Sequence, residues 1–285
     1  MDKVYNWESS NNMKFNVDKF KLLQFDRNLD IECDYNYLGP NMEEVITGSE
    51  AVRDLGVIIS PDGSYQKHIT KIISKVNQKI GFFLRTFNCR EAKFMVFGWK
   101  NYIQPVLDYC SQLRGPTSGV DLQRLKNTLK SFTAKIKGYN NLNYWERLEK
   151  LGQYSIGRRI ERYKILYCWK CMNNFVPNCG LEYKYSDTSG YLFKEIPSKK
   201  YYITNRLNSF HYTAPRMFNR LPRELRDDRV SSLLDWKIKL DKYLKGIPDN
   251  PHIGDLIPGV CDCVTAKPSN SIIHWTPHLG MDNRR

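Results

Sequence analysis

Apolar side chains recur at Ile69, Ile72, Ile73, Val76, Ile80, Phe83 and Leu84, in steps of three, one, three, four, three and one. That period predicts an amphipathic helix with one buried face. Weaker helical periods predict further helices over 91–103, 121–137, 143–150, 154–174 and 231–245. Pro105 and Arg114-Gly115-Pro116 are read as breaks between them. Ahead of the first long helix the pattern is different. The run Leu55-Gly56-Val57-Ile58-Ile59 is β-branched and stops at Pro61-Asp62-Gly63, which is turn chemistry. A short strand is expected over 21–25, with edge strands at Tyr37-Leu38 and Val45-Ile46, giving a sheet of roughly two to four strands. Residues 1–10 read as the last turns of a helix stopped by Asn11-Asn12. Residues 175–230 are irregular, with short strands expected. The last forty carry several Pro, Gly and Asn and are expected to be disordered. No internal repeat is visible.

The fold class that follows is α+β, mainly α: a small antiparallel β portion, then a helical bundle. The expected segments are 1–64 (strands), 65–174 (helical bundle), 175–248 (mixed extension) and 249–285 (tail).

Charge sharpens this picture. The chain has 285 residues and a formal net charge of +14, with 41% hydrophobic residues and 18 Tyr. Residues 246–285 hold three basic and four acidic side chains, so residues 1–245 carry +15. A basic, aromatic-rich body suits a polyanion, since ammonium and guanidinium groups meet phosphates and rings stack on bases. A merely soluble basic surface fits the composition equally well. Residues 1–5 lead into no apolar run, and no stretch approaches the roughly 20 apolar residues of a membrane span. An intracellular protein, of nucleus or cytoplasm, with mostly reduced cysteines is therefore expected.

Four groups of residues invite a chemical reading. Lys67, Lys71, Lys75 and Lys79 follow steps of four and share one slowly turning helix face, with no Glu interspersed to pair them. Such a ladder can follow a duplex backbone; an ordinary solvated face is the commoner meaning. Arg158, Arg159 and Arg162, with Lys164, form a second basic cluster that suits phosphate, and a packed helix fits the same arginines equally well. Its helix also bears Tyr154, Tyr163, Tyr167 and Trp169, which are read as core. Cys168-Trp169-Lys170-Cys171, with Cys179 and Cys261-Asp262-Cys263, has zinc-like spacing. The first pair falls inside a helix, so small apolar packing is the default and no metal site is assigned. Asp227-Asp228 lacks an apolar hairpin around it and is read as a loop or helix start. The five His are scattered, and no small-molecule site is apparent.

Several stretches resemble one family. Asn11-Asn12-Met13-Lys14-Phe15-Asn16 with Lys19 resembles the motif that follows the catalytic aspartate hairpin in non-LTR (LINE-class, jockey-like) retrotransposon reverse transcriptases. Asp54-Leu55-Gly56-Val57-Ile58-Ile59-Ser60 is similar to the hairpin called the primer grip. Residues 103–113, beginning Ile103-Gln104-Pro105, are similar to a thumb motif. Asn143-Tyr144-Trp145-Glu146-Arg147-Leu148, with residues 158–163, resembles the segment beyond it. Ala214-Pro215-Arg216-Met217-Phe218-Asn219-Arg220-Leu221-Pro222 is similar to a C-terminal signature of the same elements. Arg114 departs from the aromatic expected there.

The resemblance implies the end of a palm, a thumb and its continuation. Leu55, Gly56 and Val57 would be primer-grip-like, and Lys19 a vestigial polymerase residue. RNA or an RNA–DNA duplex would be the partner, with no membrane and no small-molecule substrate. The catalytic aspartates, which hold two metal ions in this chemistry, are not among these residues. No catalysis and no cofactor is therefore expected of this chain, and Mg²⁺ only of an intact polymerase. A protein-interaction module and a relic reading frame are the alternatives. The first sixty residues, with sheet edges exposed, are expected to be the least stable part.

Overall fold

The computed structural model describes residues 6–7, 10–13, 16, 20–25, 48–113, 119–197, 209–247 and 249, and the backbone of 35–38 and 43–46. Its chain divides into two units, 1–68 and 69–285. The class is α+β, mainly α, as the sequence pattern predicts.

In the first unit, β1 (Tyr35–Leu38) pairs antiparallel with β2 (Glu43–Ile46). A second antiparallel pair joins β3 (Val52–Asp54) to β4 (Val57–Ile59). The two pairs remain separate two-stranded sheets rather than one. The strand expected over 21–25 reduces to a single parallel bridge between Leu22 and Gly48. The expected helix stop is present: Asn11 donates both its backbone N and its Nδ2 to Trp7 O, and Asn12 has φ 51°. Asn tolerates that left-handed conformation better than most residues.

The run Leu55–Ile59 is not all strand. With Asp54 opposite Val57, Leu55 and Gly56 form the two-residue turn, with φ of 44° and 88°. Positive φ at both positions matches the right-handed twist of the flanking strands. Gly56 adopts it freely; Leu55 does not, and stands 84% exposed.

Helix α1 (Gln66–Thr86) buries Ile69, Ile72, Val76, Ile80 and Phe83, the stripe set by the sequence period. Each such side chain taken fully from water contributes about 1.5–3 kcal/mol. The helix expected over 91–103 is α2 (Ala92–Gly98) continued by one π-helical turn, Trp99–Ile103, in which Gln104 N bonds Trp99 O. Pro105 does not break the chain. It sits in the first turn of α3 (Gln104–Asp108), where a missing N–H costs nothing. Helix α4 (Gly119–Thr133) supplies Leu125, Leu129 and Phe132, and Phe132 packs against Trp99 at 5.1 Å and Phe83 at 5.9 Å between ring centroids. Helix α5 (Tyr144–Lys150) opens with a full capping box: Asn143 accepts from Trp145 N and Glu146 N, and Glu146 accepts from Asn143 N.

Helix α6 (Ile156–Met172) carries the second core. Trp169 is fully buried, stacks on Trp236 at 4.8 Å and donates Nε1 to Asp228 O. Around it pack the hairpin β5 (Tyr183–Ser186) and β6 (Gly190–Phe193), α7 (Phe210–Asn219), α8 (Arg223–Arg226) and α9 (Leu233–Lys245). This core runs from Ile165 to Ile247, so it crosses position 174, drawn in the sequence as a segment boundary. The two helices described within 175–230 are not expected from the sequence pattern. Pro215 lies inside α7, yet Phe210, Ala214, Met217 and Phe218 keep a helical period and are all buried. The expected tail after Asp249 lies outside the described residues.

Candidate nucleic-acid interface

Helix α1 contains no Asp or Glu, and its lysines divide into two kinds. Lys71 and Lys75 are exposed, one helical turn apart, about 6 Å along the axis. Among the described residues no carboxylate reaches either of them. The outer two are engaged. Lys67 Nζ lies 3.4 Å from Glu50 Oε2, an exposed pair of little energetic weight. Lys79 Nζ donates to Tyr102 O at 3.0 Å and sits 3.8 Å from the centroid of that ring. So the ladder of four presents two unengaged ammonium groups flanked by two tethered ones.

Neighbouring elements add positive charge. Residues 66–150 hold sixteen Lys and Arg against five Asp and Glu, a net of +11. Arg124 of α4 donates to Thr70 of α1 at 3.1 Å and to its own Asp121 at 3.3 Å. Lys126 lies over the Trp145 ring at 5.6 Å, while Lys130 is exposed.

The second predicted cluster has a different role. Arg158 is 2% exposed, pairs with Glu161 at 3.0 Å and approaches Asp249 at 3.9 Å. Arg159 clasps Asp108 through Nε and Nη2, and Tyr163 donates to the same carboxylate. Arg162 holds Asp241 through Nε at 2.5 Å and Nη2 at 2.8 Å. Lys164 is buried and donates to Thr213 Oγ1 at 2.7 Å. The three arginines are paired with carboxylates and Lys164 is hydrogen-bonded within the fold, so the expectation that they meet phosphate is replaced by a structural role. Their partners Asp108 and Asp241 lie 51 and 79 residues away in sequence, beyond any local pattern. Tyr154 completes the second site, donating to Asp241 O at 3.0 Å; burial, then the Asp241 charge, pushes its phenol pKa far up.

The remaining candidates fall as follows. Cys168 and Cys171 are buried; burial pushes both thiols up, Cys171 to about 11, with nearby Cys179 adding to the shift. Cys261 and Cys263 lie outside the described residues, as does Lys19. Asp227 accepts from Tyr191 N at 2.8 Å and Arg223 Nε at 3.0 Å. Asp228 accepts from Ser231 N, Ser231 Oγ and Lys239 Nζ. Desolvation opposes ionisation of both, but these donors outweigh it and hold both carboxyls below their ordinary range. Leu55 and Gly56 form a hairpin tip, with Leu55 in solvent, and Val57, which opens β4, is buried. No described helix is long and apolar enough to cross a membrane.

A stretch of 141 residues, 48% of the chain, is 25% identical to an uncharacterised protein of Caenorhabditis elegans and covers 68% of that protein. No family model and no solved structure matches the chain.

Proposed function

We propose that this chain is the post-catalytic part of a non-LTR retrotransposon reverse transcriptase, the end of the palm with the thumb and its extension, and that it binds RNA or an RNA–DNA duplex through α1. The observation that carries the reading is the α1 surface: two unengaged lysines on successive turns of a carboxylate-free helix, within a segment of net charge +11. Ammonium groups so placed meet successive phosphates without reading base sequence, so binding is sequence-tolerant. The β3–β4 hairpin, whose tip carries Leu55 and Gly56, is the primer-grip-like element of this reading. It assigns no nucleotidyl transfer to these residues and calls for no bound Mg²⁺: they hold one adjacent Asp pair, Asp227-Asp228, and both carboxylates are engaged in bracing the fold.

Fluorescence anisotropy with a labelled RNA–DNA duplex tests it. The native chain should bind, and a K71Q/K75Q variant should bind at least tenfold more weakly at the same salt concentration while melting at the same temperature. Equal binding by both proteins contradicts the assignment to α1.

A further inference from the structure

Beside the lysines, two aromatic side chains lie off the buried stripe and are exposed. Phe82 is 54% exposed although its neighbour Phe83 is buried, so Phe82 is surplus to the core. Tyr102 is 38% exposed, while Trp99 and Ile103 in the same π-helical turn are buried. Their ring centroids lie 6.3 Å apart, tilted by 43°. Lys79 Nζ sits over the Tyr102 ring, and Lys75, Lys79 and Phe82 follow one another along α1 at spacings of four and three. The corner therefore joins an exposed ring to a cation, at the end of a row of cations about 12 Å long from Lys71 to Lys79.

We propose that the Phe82–Tyr102 corner stacks one unpaired nucleobase of a nucleic acid whose backbone runs along Lys71, Lys75 and Lys79. This rests on the reading of α1 as a nucleic-acid helix and specifies the occupant. Charge complementarity selects it. An apolar partner surface would have to cover Lys79, whereas a nucleotide brings a flat π face for Phe82 and a phosphate for the ammonium groups. The base is unpaired, because within a duplex both faces are already covered by stacking. The partner is thus a duplex with a single-stranded extension.

The test compares a blunt RNA–DNA duplex with the same duplex carrying a short single-stranded overhang. The native chain should bind the overhang form about fivefold or more tightly. F82A should erase that gain and leave blunt-duplex binding unchanged; F82W, which keeps a stacking face, should retain it. Equal affinity of the native chain for both duplexes overturns the inference while leaving the α1 reading intact, as does a gain that survives in F82A. Failure to bind even the blunt duplex overturns the α1 reading, and the inference with it. Self-association relieved by F82A would assign the corner to a second copy of the chain and overturn the inference as well.

Discussion

Single residues decide how closely this chain packs. Gly98 faces the Phe83 ring so tightly that a methyl group on its Cα would overlap it. Gly98→Ala should therefore cost about 1–3 kcal/mol, since α1 and α2 must separate or Phe83 must leave its rotamer; a urea melt reads this directly, and an unchanged midpoint would contradict the contact. Asp241 is the sole acceptor of both Arg162 bonds described above, and Asp241→Ala would strand a guanidinium whose side chain is 15% exposed. The cost should be about 2–3 kcal/mol, below the ~3–5 of a fully buried pair because Asp241 itself is a third exposed. Nothing local marked either residue. Arg159 and Arg162 looked like phosphate ligands because their spacing on α6 is legible and their carboxylate partners, distant in sequence, are not. Lys71 and Lys75 were legible because a helix face without Glu offers no local partner.

At the scale of elements, hydrophobic period carried α1, the helices expected over 121–137, 143–150, 154–174 and 231–245, and the strands at 52–59, while special backbone hid a few elements. Pro215 concealed α7, Pro105 reads as a break although it lies in the first turn of α3, and the turn at Leu55-Gly56 reads as strand because its neighbours are β-branched. The α6–α7 contact also makes stability depend on pH. Burial pushes the Lys164 ammonium down from 10.5 to about 8, with Glu161 acting in the opposite direction. Between those values the unfolded chain binds more protons than the folded one, so stability rises with pH. Lys237 shifts the same way, through burial and then Lys170. Cys168 and Cys171 work in reverse: buried thiols hold their protons above the ordinary 9, so stability falls once pH passes it. Unfolding free energy should climb from pH 8 to about 9 and decline beyond. K164M, which removes the buried ammonium, should shrink the climb. Urea melts across this range check it; a climb of the same size in K164M would refute the assignment to Lys164.

Across the whole molecule charge is divided by unit. Residues 1–68 hold seven basic and twelve acidic side chains, a net of −5, and residues 69–285 hold thirty-seven against eighteen, a net of +19. The overall +14 thus understates how basic the helical unit is, and the proposed nucleic-acid binding is assigned to that unit. Within it, Arg158, Arg159, Arg162, Arg226 and Lys239 brace the fold, while α1 keeps Lys71 and Lys75 unengaged among the described residues. The central claim is that Lys71 and Lys75 contact phosphates. The most direct test is the slope of log affinity against log salt for an RNA–DNA duplex, measured for the native chain and K71Q/K75Q. Each phosphate contact contributes about −0.9 to that slope on B-form DNA, and the hybrid should behave similarly. The double variant should lose roughly 1.8 units of slope. An unchanged slope, or a native chain whose binding does not respond to salt, would contradict it.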